Sequence, residues 1–230
     1  MTLNNPLRSA LVFIAIALTM GVACTPGRPR LPSIIEIVER GDSISKEEML
    51  RFAEEQRLDS SALYHWENRW VLQVVRKRVE QVKAALVNRF PGEEIKLYPE
   101  PFYLFTREEN CNEKPVPRWS YTIMTANLVD DRAMQDEYME YHRQQFEEWP
   151  EVSTGFCNAS FQQLLVYRNG RQLMLVIAIP AGESLDALNP RTTENNPRVE
   201  EWNNIMSKYQ EGVDGAPDGV VWVEFKQVKK

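Results

Sequence analysis

The chain has 230 residues, 43% hydrophobic and 26% charged, with a formal net charge of −6. This is ordinary globular composition, with room for one domain or two small ones. Acidic and basic residues are mixed along the chain, which excludes the basic face or stripe of a nucleic-acid-binding protein and suits a neutral ligand better.

Near the start, Arg8 precedes an apolar run over 10–18, and Thr19-Met20-Gly21-Val22-Ala23-Cys24 follows. A positive start, a short apolar core and small residues before a cleavage point predict a secretory signal over 1–23. The run is shorter than the ~20 apolar residues of a membrane span. Gly21 and Ala23 satisfy the small-x-small rule of ordinary signal peptidase, and Cys24 resembles the lipidated cysteine of a bacterial lipobox. The lipobox position usually held by Leu is Gly21 here. The two outcomes are an exported lipoprotein held to the envelope membrane through Cys24, or a secreted protein with an incidental cysteine. Pro26, Gly27, Pro29 and Pro32 give residues 24–44 the character of an extended tether. With Cys24 lipidated, Cys111 and Cys157 remain as an even pair. In an oxidising compartment they form a disulfide; the alternative is two buried thiols.

Residues 45–114 read as a helix followed by a β-α-β unit. Ser45-Lys46-Glu47-Glu48 is a capping box ahead of Met49, Leu50 and Phe52. Trp70 to Val75 is β-branched and bounded by charge, hence a strand. Val79, Val82, Leu86 and Phe90 recur at helical spacing until Pro91-Gly92 stops them. Ile95–Tyr98 and Phe102–Thr106 read as strand, and the charged, proline-containing loop 108–117 as the domain boundary. The aromatic side chains of this half, Tyr64, Trp66, Trp70, Tyr98, Phe102 and Tyr103, read as core and sheet packing, or as cover for a sheet face or edge.

Residues 115–230 form the second region. Trp119, Tyr121 and Ile123 alternate as in a half-buried strand, and Asp130-Asp131 precedes a helix carrying Met134, Tyr138, Tyr141 and Phe146. Two strands, 161–167 and 173–179, flank a turn containing Asn169-Gly170. Pro197 opens a helix with Val199, Trp202 and Met206 on one stripe, and 220–225 is the last strand. The order β-α-β-β-α-β is ferredoxin-like, so the fold class is α+β, an antiparallel sheet with helices on one face.

Glycine-rich phosphate loops, zinc-type spacing and nucleophile elbows are absent from the sequence. There are two histidines. His65 reads as a boundary residue beside a strand. His142 lies four residues after Tyr138, so both share one helix face, where a histidine passes protons near neutral pH and a tyrosine orients it or binds a hydroxyl.

Asp130-Asp131, Glu137-Tyr138, Tyr141-His142, Trp149-Pro150-Glu151-Val152, Val166 to Gly170 with Gln172-Leu173-Met174, and Asn196 to Trp202 with Met206 stand in one colinear series. Over residues 118–230 this series resembles the L-rhamnose mutarotase family. The resemblance implies a dimeric α+β barrel that interconverts sugar anomers without metal or organic cofactor, with a monosaccharide and a second copy of the chain as partners. It makes His142 the general acid/base and Tyr138 its substrate-side neighbour, with Trp202, Tyr141 and Trp149 around the sugar. An ungapped alignment instead puts Tyr141 at the tyrosine position and Gln145 at the histidine position, leaving no acid. The family's second active-site tyrosine falls on Leu164 and its second tryptophan on Asn203. Two functions follow: a sugar mutarotase of the envelope, or a binding protein that keeps the cleft without the chemistry.

Overall fold

A computed structural model describes residues 31–41 and 43–229. The expectations for the signal over 1–23 and for Cys24 fall outside these residues. The described chain belongs to one compact unit.

The first half runs β1 (Pro32–Val38), α1 (Lys46–Glu55), β2 (Leu63–Trp66), β3 (Arg69–Val75), α2 (Val79–Arg89) and β4 (Glu94–Tyr98). A connector carries β5 (Tyr103–Thr106) and the short α3 (Arg107–Asn110). The second half runs β6 (Trp119–Leu128), α4 (Arg132–Glu148), α5 (Pro150–Asn158), β7 (Gln163–Asn169), β8 (Gln172–Pro180), α6 (Leu185–Leu188), α7 (Pro197–Met206), β9 (Gln210–Glu211) and β10 (Val223–Gln227). Local chemistry sets several boundaries. Ser45 caps α1 by accepting from the Glu48 N–H, and Asp131 caps α4 by accepting from the Met134 N–H. Gly170, with φ +60°, takes the first position of the tight β7–β8 loop.

Ten strands form one sheet in the order β4-β1-β3-β2-β10-β6-β8-β7-β5, with β9 beside β6. Each half repeats the same β-α-β-β-α-β unit with the same antiparallel neighbours, β4-β1-β3-β2 in the first and β10-β6-β8-β7 in the second. The seam between them is a ladder of β10 on β2, Lys226 opposite His65. At the other side the Tyr167 hydroxyl donates to the Pro32 carbonyl (2.6 Å) and the Asn169 amide to the Leu97 carbonyl (3.0 Å). The sheet therefore curls into a barrel. Ile34, Val71 and Tyr98 from the first half and Ile123, Tyr167, Met174 and Phe225 from the second form one interior cluster. Because strand side chains alternate, the opposite faces of the same strands carry two further cores under the helices, one per half.

The organisation of the chain departs from the sequence expectation in two places. Residues 24–44 are not an extended tether throughout: from Pro32 the chain is a buried strand between β3 and β4, since Ile34, Ile35 and Ile37 need cover on both faces. The region 45–114 is not a separate domain, because β5 pairs with β7 of the second half, Tyr103 opposite Val166. With β1 included, the first half is a full ferredoxin-like unit.

Candidate active site

The helix-side face of the second half holds a cleft of about 300 Å³. Its floor is Leu164 and Val166 of β7 and Leu175 of β8. Helix α4 contributes Tyr138 and His142, α5 Val152 and Phe156, and α7 Trp202, Asn203 and Met206. Tyr103 of β5, Gln210 of β9 and Trp222 complete it.

The buried positions of α4 are Gln135, Tyr138, His142 and Gln145, a 3-4-3 spacing that gives a single stripe. Phe146, expected inside from the apolar pattern, is 38% exposed. Three of these four are polar, which the interior tolerates because each is hydrogen-bonded. Gln145 accepts from the Tyr103 hydroxyl and donates to the Trp149 carbonyl (2.7 Å) and Ser153 Oγ (3.2 Å). It is fully buried and does not line the cleft. His142 lines it.

The imidazole is enclosed by rings: Tyr138 at 4.2 Å between centroids, Tyr103 at 5.2 Å, Trp202 at 5.4 Å and Phe102 at 5.6 Å. Its Nδ1 lies 3.0 Å from the Tyr138 carbonyl oxygen. A carbonyl only accepts, so Nδ1 carries the hydrogen and Nε2 keeps a lone pair. Burial penalises the cation and pulls the pKa from 6.5 down to about 4; the bond to the Tyr138 carbonyl offsets only part of this. The imidazole is neutral at pH 7.

A second polar chain orients Tyr138. The Trp222 Nε1–H donates to Gln210 Oε1 (3.0 Å), and Gln210 Nε2 donates to the Tyr138 hydroxyl (3.3 Å). Indole nitrogen only donates, so it fixes which end of the Gln210 amide faces the phenol. The phenol oxygen accepts from Gln210, and its own hydrogen is left to point elsewhere. Burial holds the Tyr138 pKa far above its usual value, so the phenol keeps its proton.

Of the sugar-contact residues expected from sequence, Trp202 lines the cleft, whereas Tyr141 and Trp149 stand behind it. Tyr141 packs edge-on against Trp202 (6.2 Å) and Trp149 does the same from another side (5.6 Å). The Arg198 guanidinium lies 3.7 Å over the Trp149 ring. These two residues brace the indole that reaches the cavity. His65 sits in β2, its ring tilted against that of Trp70 at 4.1 Å between centroids and away from the cleft. Cys111 and Cys157 are joined in a disulfide with Cα atoms 5.8 Å apart, tying the end of α3 to α5 beside the cleft residue Phe156.

The model of the L-rhamnose mutarotase family matches residues 123–229. An L-fucose mutarotase of Xanthomonas campestris is 30% identical over 103 residues, 44% of this chain and 80% of that protein. The chain belongs to this mutarotase family. A UPF0734 protein of Dictyostelium discoideum is 26% identical over 92 residues, 40% of this chain and 71% of its own length. Among solved structures, a ferredoxin-fold protein of Listeria monocytogenes related to antibiotic biosynthesis monooxygenases is similar with a TM-score of 0.42 and 9% identity, over 87% of this chain and 96% of that one.

The family match runs from the middle of β6 past the end of β10, the half that holds most of the cleft. Leu164 and Asn203, where the family resemblance puts a tyrosine and a tryptophan, both line it. Three hydrogen-bonding cleft residues lie outside the sequence reading of the site. Tyr103 read as packing because nothing local reveals that its strand pairs across to β7. Trp222 read only as part of a strand. Gln210 carried no signal, since its role exists only through two hydrogen bonds to residues 12 and 72 positions away.

Proposed function

We propose that the protein is a sugar mutarotase in which His142 and Tyr138 move the two protons of hemiacetal opening. One observation carries this reading: the two side chains, four residues apart on α4, face one cleft with Trp202 in a chain of the mutarotase family. Neutral His142 takes the proton of the anomeric hydroxyl on Nε2, and the Tyr138 hydroxyl gives its proton to the ring oxygen. The bond from the anomeric carbon to the ring oxygen breaks, leaving an open-chain aldehyde and a free hydroxyl. After rotation, that hydroxyl adds to the other face of the carbonyl, its proton returns to Tyr138, and the imidazolium reprotonates the anomeric oxygen. The transient imidazolium and phenolate stabilise one another at short range. Trp202 and Met206 offer apolar surface to the ring faces, and Asn203 and Gln210 offer amides to its hydroxyls.

Anomer-exchange NMR with a panel of deoxy and ordinary hexoses tests the assignment. His142→Ala should slow exchange by about 10²–10⁴-fold, the scale of a positioned acid or base, and Tyr138→Phe by less. Unchanged exchange in His142→Ala removes the histidine from the mechanism. A second reading, sugar binding without turnover, is favoured by Leu164 and Asn203 in the cleft; tight binding with no acceleration in the unmodified protein decides for it.

We further propose that the protein acts after export, anchored through a lipidated Cys24. The signal-like segment 1–23 and a disulfide suited to an oxidising compartment support this. Intact mass of the unreduced, membrane-extracted protein should give a chain starting at Cys24 with added acyl mass and the Cys111–Cys157 bridge formed. A soluble, unacylated form overturns the anchor.

A further inference from the structure

The cleft does not end at the ring that His142 and Tyr138 address. It continues into a second compartment of about 580 Å³, outer only in that neither His142 nor Tyr138 lines it, which shares Trp202, Trp222, Asn203, Val152, Phe156 and Leu175 with the inner one. Two indoles thus stand at the junction of a single groove. The inner compartment, at about 300 Å³, lies at the lower end of small-ligand clefts, and the outer one is the larger of the two. A monosaccharide held with its anomeric carbon at His142 leaves the outer compartment unused.

The lining of that compartment points to a ligand class. Met124 and Ile177 of the sheet give it an apolar floor, while Asp186, Asn189 and Thr193 give it a polar rim. A pyranose ring has this amphiphilic character, with apolar faces and a belt of hydroxyls. An alkyl or acyl chain would use the floor and leave the rim without partners. The wall is also preorganised. Leu188 is 2% exposed and anchored in the core of this half, and the segment after it is pressed on α5 at Gly155. A Cβ at that glycine would stand 2.5 Å from the Thr192 carbonyl oxygen, so only glycine allows the approach.

We propose that the outer compartment is a second sugar subsite and that the substrate is a reducing disaccharide or longer glycan. Its reducing-end ring occupies the inner compartment, and the next ring sits past Trp202 and Trp222 against the segment 185–193. This inference rests on the mutarotase reading of the inner compartment.

The test compares anomer exchange of L-rhamnose, L-fucose, D-galactose and D-glucose with that of disaccharides carrying each at the reducing end. For the preferred reducing-end sugar, kcat/KM should be higher for the disaccharide by about tenfold or more. Leu185→Trp, which fills only the outer compartment, should bring the disaccharide down to the monosaccharide rate and leave the monosaccharide unchanged. Exchange of monosaccharides with no preference for disaccharides overturns the subsite and leaves the mutarotase reading intact. Should no sugar be exchanged faster than in buffer, the mutarotase reading fails, and calorimetric binding decides the subsite alone. A disaccharide bound about tenfold more tightly than its monosaccharide, with the gain lost in Leu185→Trp, keeps it, and equal affinities overturn it.

Discussion

At the scale of single residues, the environment of His142 makes a definite claim about pH. An imidazole in water titrates near 6.5, and here burial moves that to about 4. In the proposed mechanism a neutral imidazole accepts the first proton, so the acid limb of kcat/KM should fall with an apparent pKa near 4; a limb near 6.5 would mean that the histidine is solvated in the free protein. The same shift acts on stability. Folding makes the imidazole harder to protonate, so the unfolded chain binds the proton first and acid favours unfolding. Stability should drop as pH falls from about 6.5 to about 4, by on the order of 3 kcal/mol from this group, and this loss should vanish in His142→Ala. Gln145 illustrates the opposite use of a buried polar side chain. Its bonds to Tyr103, Trp149 and Ser153 make it a strut between β5, α4 and α5: the glutamine holds the wall, and His142 faces the cavity.

At the scale of elements, local signals worked wherever they were chemical. The Ser45 and Asp131 caps, each worth about 1 kcal/mol, start their helices where the sequence places them, and Pro197 opens α7. They failed where an element's partner is far away in sequence. Pro32–Val38 read as tether because three prolines and a glycine precede or begin it, yet it is the most enclosed strand of its half. Tyr103–Thr106 was assigned to the first half by proximity, and the ladder to β7 gives it to the second. Helix α5 escaped notice because its stripe is short and interrupted by Ser153 and Gly155, small residues that let it pack closely on α4 and on the segment near Thr192.

At the scale of the molecule, the barrel interior joins the halves through a buried ion pair and its hydrogen-bond partners. Glu36, with no exposed surface, accepts from Arg69 (2.9 Å), Tyr98 (2.8 Å) and Gln172 (2.9 and 3.0 Å). Gln172 in turn donates to Thr125 and accepts from Lys96 (2.7 Å), so residues of both halves complete the network. Arg69→Met leaves the Glu36 carboxylate buried without its cation and should cost about 3–5 kcal/mol. Because one sheet runs through both halves, urea unfolding should shift as a single transition rather than split in two. A change below about 1 kcal/mol would show that the pair is replaceable by packing. The two halves share one topology but differ on their helix-side faces. The helix-side face of the first half is filled by Ile35, Met49, Phe52, Leu72 and Leu86, while the second half keeps its cleft.

By itself the sequence determined what depends on neighbours in the chain: the caps, the helix stripe bearing Tyr138 and His142, the Asn-Gly turn, and a colinear series specific enough to point to the family. Tertiary structure alone decided what depends on partners brought together by folding. Strand pairing assigns β5 to β7, and a side-chain hydrogen bond from Tyr167 to Pro32 closes the barrel across 135 residues of sequence. Folding also brings Gln210 to the Tyr138 phenol that it orients. The physical reason is that hydrogen-bond ladders and buried polar networks are satisfied by proximity in space, and the residues that supply them look from the sequence like any other strand or loop.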